Sequence, residues 1–183
     1  MNSFSAETPG SARVPFEKIA YTIQSTGGIT LSQLSNISGL ETTTIQNWVK
    51  RGWVQAPAGR LYGEHSTARV LIISMLRGVM QLSDIVYLMT YVNGKVDDRS
   101  DDAIDDGRLY TILCTITSKF DSTGIIDEQT VENTISDELK DYTEPFAGGL
   151  EKLHNALLIM SLAYISSKFK NMAQNLFEQT VKQ

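Results

Sequence analysis

Cysteine and proline are scarce in this chain of 183 residues. The single cysteine, Cys114, excludes an intrachain disulfide and a cysteine pair for a structural metal site. Only four prolines occur, and the long stretches between them are free to be helical because no ring removes a backbone donor. These two shortages predict a mainly helical protein of a reducing compartment.

Long apolar runs and targeting signals are also missing. The longest strongly apolar segment, residues 156–165, is too short for a bilayer, which takes about 20 residues. Residues 1–11, MNSFSAETPGS, lack the basic start and apolar run of a signal peptide. We therefore expect a soluble cytoplasmic protein, with a disordered N-terminus over residues 1–14.

Enzyme signatures are few. The chain has two histidines and no standard glycine-rich phosphate loop, Gly-x-Ser-x-Gly elbow or metal-ligand cluster. The aspartate-rich segment 95–106 lacks the ligand pattern of an EF-hand, so we interpret it as a solubilising linker. We expect no enzymatic activity, cofactor or metal, and no catalytic role for His65. A small-molecule effector pocket among the C-terminal helices stays open.

The net charge of −5 does not itself suggest nucleic acid, but its distribution is uneven. Residues 24–80 carry five basic and two acidic side chains, a local charge of +3, whereas residues 93–151 carry five basic and fifteen acidic ones. A DNA duplex has about one charge per 1.7 Å, so a few well-placed cations contribute to affinity. The charge pattern is compatible with a DNA-contacting first half and equally with ordinary surface variation.

Residues 29–52 have the pattern of two helices joined by a tight turn. Thr30 is a good N-cap, and Gln33 three residues later completes a capping-box pattern. Gly39 can take the left-handed conformation that ends the first helix, and the second helix runs from Thr42 or Thr43 to near Gly52. Apolar residues on both helices have the spacing to pack against each other.

The second helix leaves a polar face that suits DNA recognition. Gln and Asn side chains pair bidentately with adenine, and Thr contacts base edges or a thymine methyl group. Any amphipathic helix has a polar face, but a preceding helix, a glycine turn and a cationic loop favour the recognition role. The face comprises Thr43, Thr44, Gln46, Asn47 and Lys50, with Arg51 adjoining it.

A small β-hairpin wing is expected after this helix. Its strands would be Trp53-Val54 and residues 60–62, with residues 55–59 as the loop. Arg60 and Tyr62 would contact the DNA backbone, Arg60 through its charge and Tyr62 through its hydroxyl. The alternative for Tyr62 is that its ring packs beneath the wing.

The stretch 29–89 resembles the DNA-binding domain of the mercury-resistance-regulator (MerR) family. The resemblance lies in the Gly39-to-Gly52 spacing, the Arg-Leu-Tyr triplet at 60–62, and the helix pair at 68–76 and 82–89. Some segments are also similar to those of a bacterial family of unknown function with a MerR-like helix-turn-helix. These segments are IQNWVKRGW, and LIISMLR followed by MQLSDI. The resemblance implies a winged helix-turn-helix.

Carried over by position, the MerR resemblance implies that Thr43, Gln46 and Asn47 contact bases and that Arg60 and Tyr62 contact the backbone. The sequence departs from the family in two places. The family often has arginine at the positions of Thr43 and Gln46 and an aromatic at that of Asn47. Its Gly-Phe pair before the last helix is replaced by Met and Gln at 80–81.

The C-terminal part is expected to be all helical. Apolar spacing predicts helices over about 102–120, 127–142 and 150–181, which gives a DNA-binding domain over 15–94 and a dimerisation or effector region over 95–183. The last helix has two apolar seams, of which one can pack on its own chain and the other on a partner chain. The alternative is that both seams are buried in a monomer. The seam assigned to the dimer comprises Leu158, Leu162, Ile165, Phe169, Met172 and Leu176.

The sequence therefore predicts a mainly α protein, a winged helix-turn-helix followed by a helical region with a long terminal helix. We expect it to bind double-stranded DNA as a homodimer and to regulate transcription. The alternative is a protein-interaction module whose helix-turn-helix does not bind DNA. Its sparse basic charge supports that alternative.

Overall fold

The structure, a computed structural model, describes residues 16–123 and 127–181, and the side chains of all of these except 121–123. The expected disorder of residues 1–14 lies outside the described residues. Within them the chain forms eight helices and one two-stranded sheet, as the mainly α prediction required. The elements are α1 Phe16–Thr26, β1 Ile29–Thr30, α2 Leu31–Ser38, α3 Thr42–Lys50, β2 Leu61–Tyr62, α4 Glu64–Leu76, α5 Leu82–Asn93, α6 Asp106–Thr123, α7 Glu128–Glu138 and α8 Gly149–Val181.

Capping interactions set both ends of α2. The Thr30 hydroxyl accepts the Gln33 backbone N–H at 3.3 Å, and the Gln33 side chain accepts the Thr30 N–H at 2.8 Å, so the predicted capping box is confirmed. Gly39 has φ +66 and ends the helix in the left-handed conformation. A three-residue turn, 39–41, then leads directly into α3.

The end of α3 is a Schellman motif centred on Gly52. Gly52 has φ +72; its N–H donates to Val49 O at 2.9 Å, and the Trp53 N–H donates to Trp48 O at 3.0 Å. On the inner face of α3, Ile45 and Trp48 are buried in the core. Because its inner face is packed and its last turn is hydrogen-bonded, α3 is held in one orientation.

The strand pairing differs from the expected local hairpin. β2 pairs antiparallel with β1, Ile29 opposite Tyr62, and residues 53–54 form no strand. The prediction that Trp53-Val54 form the first strand of the wing was therefore wrong. Gly28 makes the observed pairing possible, because a Cβ there would lie 2.7 Å from the Leu61 Cβ, and its φ of +139 disfavours other residues.

Helix α4 is the centre of the core. It is buried on nearly all sides and packs against α1, α2, α5, α6 and α8. One hydrophobic cluster runs from Phe16 in α1 to Ile165 in α8. The division expected at residue 94 stays a prediction, and the packing of α4 on α6 runs across it.

The three C-terminal helices were predicted from apolar spacing and are confirmed, with shorter first and second helices. Asp127 caps α7 by accepting the Thr130 N–H at 2.7 Å, a hydrogen bond that lowers the pKa of that carboxyl group. The Tyr142 hydroxyl donates to Ala103 O at 2.6 Å and ties the end of the α7 region to the segment before α6. None of the helices in the described ranges is long and apolar enough to cross a membrane.

A buried polar cluster joins the two halves of the chain. Asp106, at the first residue of α6, is fully buried and accepts from Arg69 Nη1 at 3.3 Å and from Asn93 Nδ2 at 2.6 Å. The Nδ1 atom of His65 lies 3.3 Å from the same carboxylate. Arg69 also donates from Nε to Trp53 O at 2.8 Å. The cluster thus connects α4, α5 and α6 with the segment that follows α3.

This cluster corrects two expectations. The segment 95–106 does not act throughout as a solubilising linker, because Asp106 lies in the core. Arg69 does not contribute to the basic surface, because its guanidinium is buried and paired with Asp106. A hydropathy pattern assigns charged side chains such as these two to the surface. Their burial is possible because each is the partner of the other, although they lie 37 residues apart in the sequence.

Replacing Asp106 with Asn should destabilise the protein strongly. The substitution removes the charge that compensates the buried Arg69 guanidinium, and breaking such a pair costs about 3–5 kcal/mol. Urea unfolding of the full chain measures the difference. Asp84→Asn is the control, since Asp84 is exposed and contacts only Ser83 through its side chain; its effect should stay within about 0.5 kcal/mol. Equal effects of the two substitutions would contradict the assigned role of the cluster.

Candidate nucleic-acid interface

The outer face of α3 is polar and accessible. Thr43, Gln46, Asn47 and Lys50 are exposed, as predicted, and Thr44 is half-buried at the edge of the face. None of these five side chains makes a hydrogen bond or an ion pair with another residue of the described chain, so their polar groups are available to a ligand. The face offers amide and hydroxyl groups at its centre and one cation at its C-terminal end.

Two exposed arginines flank this face. Arg51 follows α3 directly, and its guanidinium lies 4.9 Å from the centre of the Trp53 ring, a cation–π contact that restrains it. Arg60 lies at the tip of a tight turn, in which Ala58 and Leu61 exchange backbone hydrogen bonds of 3.0 and 3.2 Å. Together with Lys50 they place three cations on the segment 50–60.

Tyr62 does not belong to this surface. Its side chain is only 3% exposed and packs in the core, and burial raises the pKa of its hydroxyl above the usual value. The alternative interpretation, a ring packed beneath the wing, describes its position correctly. Successive side chains of a strand lie on opposite faces, so Leu61 is half-buried on one face of β2 and Tyr62 is buried on the other. A phosphate contact from Tyr62 is therefore not retained.

The charge available near α3 is smaller than the sequence implied. With Arg69 buried, the accessible basic residues of segment 24–80 number four, against the two acidic residues Glu41 and Glu64. Glu64 accepts from Gln24 Nε2 at 2.9 Å, on the α1 side of α4. The surface around α3 is thus mildly basic rather than strongly so.

Three side chains of α4 hold the segments on either side of α3, the end of α2 and the loop that follows α3. The Arg69 guanidinium holds Trp53 O, the Ser66 hydroxyl donates to Gln55 O at 3.3 Å, and the Ser74 hydroxyl donates to Ser38 O at 3.1 Å. Sequence reasoning missed all three, because bonds to distant carbonyls have no local signature. Polar residues within an otherwise apolar helix were the one available signal.

The seam assigned to dimerisation is divided by the structure. Leu162, Phe169, Met172 and Leu176 are exposed and Leu158 is half-buried, but Ile165 is 5% exposed and packs on its own chain. Assigning Ile165 to a partner contact was wrong, because it turns toward the body together with the buried Tyr164. The exposed members lie on a helix whose residues 169–181 are all solvent-exposed. Phe169 retains one contact with the body, an edge-on contact with Phe120 at 5.6 Å.

No group of His, Cys, Asp and Glu suited to holding a metal ion occurs in the described ranges 16–123 and 127–181.

The chain is similar to one protein family. No curated protein and no solved structure matches the chain. The model of one family, described as a domain of unknown function (DUF1836), matches residues 20–113, which is just over half of the chain and runs from α1 into α6. The chain therefore belongs to this family, the domain of unknown function DUF1836.

Proposed function

We propose that this protein is a sequence-specific DNA-binding regulator that acts as a homodimer. The observation that carries the proposal is the outer face of α3, which is exposed and polar and has no hydrogen-bond or ion-pair partner among the described residues. The inner face of the helix is packed in the core, and its C-terminal end is hydrogen-bonded. Two exposed arginines flank that face. Such a helix has the composition and the rigidity that reading base edges in a major groove requires.

Each side chain of the face has a chemical role in this proposal. Gln46 and Asn47 would donate to and accept from adenine in the major groove, and Thr43 would contact a neighbouring base edge. Lys50, Arg51 and Arg60 would contact phosphates, which fixes the register of α3 without reading sequence. Arg51 is already held in place by the Trp53 ring, so binding immobilises it at little further entropic cost.

The arrangement of elements agrees with a winged helix-turn-helix of the MerR-like kind. α2, the turn 39–41 and α3 supply the helix pair, and the turn at 58–61 extends Arg60 as a short wing. The strand behind that turn pairs with β1, which anchors the wing to the start of α2. The polar, mostly uncharged residues of α3 imply a base preference different from that of MerR-family proteins, which often have arginine at these positions.

The exposed part of α8 supports self-association. Phe169, Met172 and Leu176 recur at intervals of three and four residues, the spacing of a coiled-coil seam. The body contacts this part of α8 at Phe169, through the Phe120 ring, and at Lys170, whose Nζ donates to Gly78 O at 3.2 Å. Residues 171–181 beyond them are exposed, and a partner helix would stabilise such a segment. Pairing through this seam would give two copies of α3, which suits a site with twofold symmetry.

The alternative function, a protein-interaction module, is favoured by one observation. The buried Arg69 and Tyr62 leave fewer DNA-contacting groups than a typical reader has. The two functions differ in salt dependence, since a DNA reader releases counterions and loses affinity steeply as salt rises.

Substitutions on α3 and the wing should weaken DNA binding in different ways. Gln46→Ala removes a base contact, so we expect a loss of about 1–3 kcal/mol on a preferred duplex and little change on unrelated DNA. Arg60→Ala removes a phosphate contact, which weakens all duplexes alike and lowers the slope of log affinity against log salt by about 1. Fluorescence anisotropy of the full chain with labelled duplexes measures both effects.

Two matched substitutions serve as controls for these measurements. Gln174→Ala and Arg108→Ala remove the same chemical groups from exposed positions on α8 and α6, and DNA binding should be unchanged. Binding that responds equally to all four substitutions, or that does not weaken with salt, would favour the protein-interaction module instead.

Leu176→Glu should dissociate the proposed dimer. Leu176 is 63% exposed in the single chain, so a charge there leaves the fold intact but cannot be buried in a helix–helix seam. Light scattering coupled to size exclusion should report a monomer for this variant and a dimer for the natural chain. Tyr21→Glu, a substitution at an exposed site on α1, should leave the dimer unchanged. A monomeric natural chain would refute this part of the proposal.

A further inference from the structure

A groove lies between α7 and the start of α8, and none of the residues that line it has a role in the proposed DNA binding. It encloses about 450 Å³, within the range of about 300–1,000 Å³ that small-molecule sites occupy. Its walls are mostly apolar. The lining residues are Ser136, Leu139, Leu150, Glu151, His154 and Asn155.

The apolar part of the groove is made by two leucines. Leu139 follows α7 and is buried, whereas Leu150, in the first turn of α8, is 44% exposed. A large side chain left partly in water beside a concave surface is a place where an apolar ligand gains free energy by removing that surface from water, at about 25 cal/mol per Å². Leu150 therefore provides the contact surface for an apolar group.

The polar side chains that line the groove on α8 are available to hydrogen-bond with a ligand. Glu151, His154 and Asn155 line the groove together with Leu150. His154 follows Leu150, and Asn155 follows Glu151, at the four-residue interval that places two side chains on one face of a helix. None of the three makes a hydrogen bond or an ion pair within the described residues. The Ser136 hydroxyl, in contrast, is already used, because it donates to Glu132 O at 2.9 Å.

The electrostatic surroundings select the charge of the ligand. Residues 127–152 contain eight acidic side chains and two basic ones, Lys140 and Lys152. The Lys152 Nζ lies over the Tyr91 and Phe146 rings, 5.5 and 5.6 Å from their centres. Fields of one sign around a concave site raise the local concentration of ions of the opposite sign. Glu151 places one of these carboxylates in the groove itself. An anion would meet repulsion from this face, whereas a cation would be attracted to it.

We infer that the groove between α7 and α8 binds a small apolar molecule that carries one positive charge, of the arylalkylamine class. Its ring would lie on Leu139 and Leu150, and its ammonium group would pair with Glu151. His154 and Asn155 offer further hydrogen-bond partners at the rim. The inference concerns binding alone, and it stands whether or not α3 binds DNA.

Three probes of matched shape test this inference: 2-phenylethylamine, which is cationic, 2-phenylethanol, which is neutral, and 3-phenylpropionate, which is anionic. Binding to the full chain is followed by the perturbation of backbone amide signals in NMR titrations. We expect the amine to bind most tightly and the carboxylate most weakly, with the perturbed amides in the segments 136–139 and 150–155.

Substitutions in the groove make the test specific. Glu151→Gln should weaken the amine about threefold, as expected for an exposed ion pair, and leave the alcohol unchanged. Leu150→Arg should abolish binding of the amine, because it replaces the apolar surface with a like charge. Glu178→Gln, on the exposed end of α8, is the matched control and should have no effect.

Several results would overturn the inference. These are the absence of binding by all three probes, equal affinity for the amine and the carboxylate, perturbed amides outside the groove, and an effect of Glu178→Gln as large as that of Glu151→Gln. Because Glu151 is exposed, Glu151→Gln is expected to fold normally, so its effect on amine binding tests the inference independently of any effect of Leu150→Arg on folding.

Discussion

The buried pair of Arg69 and Asp106 is the interaction on which the arrangement of this protein depends. Two charged groups are taken out of water at a large cost, and their attraction offsets it only when their remaining hydrogen-bonding groups are also used. Asn93 donates to the other oxygen of Asp106, and Trp53 O accepts from Arg69 Nε, whereas Arg69 Nη2 has no hydrogen-bond partner among the described residues. The same atoms thereby connect α6, α4, α5 and the chain that leaves α3.

This cluster explains why the first three helices and the C-terminal helices form a continuous core. α4 is buried on nearly all sides, by neighbours from both halves of the chain. The outer face of α3 is available because its inner face packs in the core through Ile45 and Trp48. α4 holds the segments on either side of α3. In the proposed function, base reading therefore rests on residues that never touch DNA.

Local signals in the sequence predicted the local structure well. Capping at Thr30, the left-handed Gly39 and the apolar spacing of α3 identify the helix pair, because each depends on residues within one or two turns of each other. The exposed face of α3 followed from the same periodicity. The long terminal helix was equally clear, since an uninterrupted apolar periodicity over thirty residues has few other solutions.

Interactions between distant residues were not predictable in the same way. β2 pairs with a strand some thirty residues earlier rather than with its neighbour, a choice made by the close approach that Gly28 allows. That pairing turns Tyr62 inward. Spacing alone places Ile165 in the seam assigned to the dimer, and only the packing of the body shows that it is buried in its own chain. Asp106 looked like one more residue of an acidic linker until Arg69 was placed beside it.

The central claim, that α3 reads DNA sequence in a dimer, is tested most directly by selecting duplexes from a random pool with the purified full chain. The account predicts an enriched motif made of two related half-sites, with centres separated by about one turn of B-DNA, roughly 34 Å, or a multiple of it. A pool that shows no enriched motif after repeated selection would contradict it.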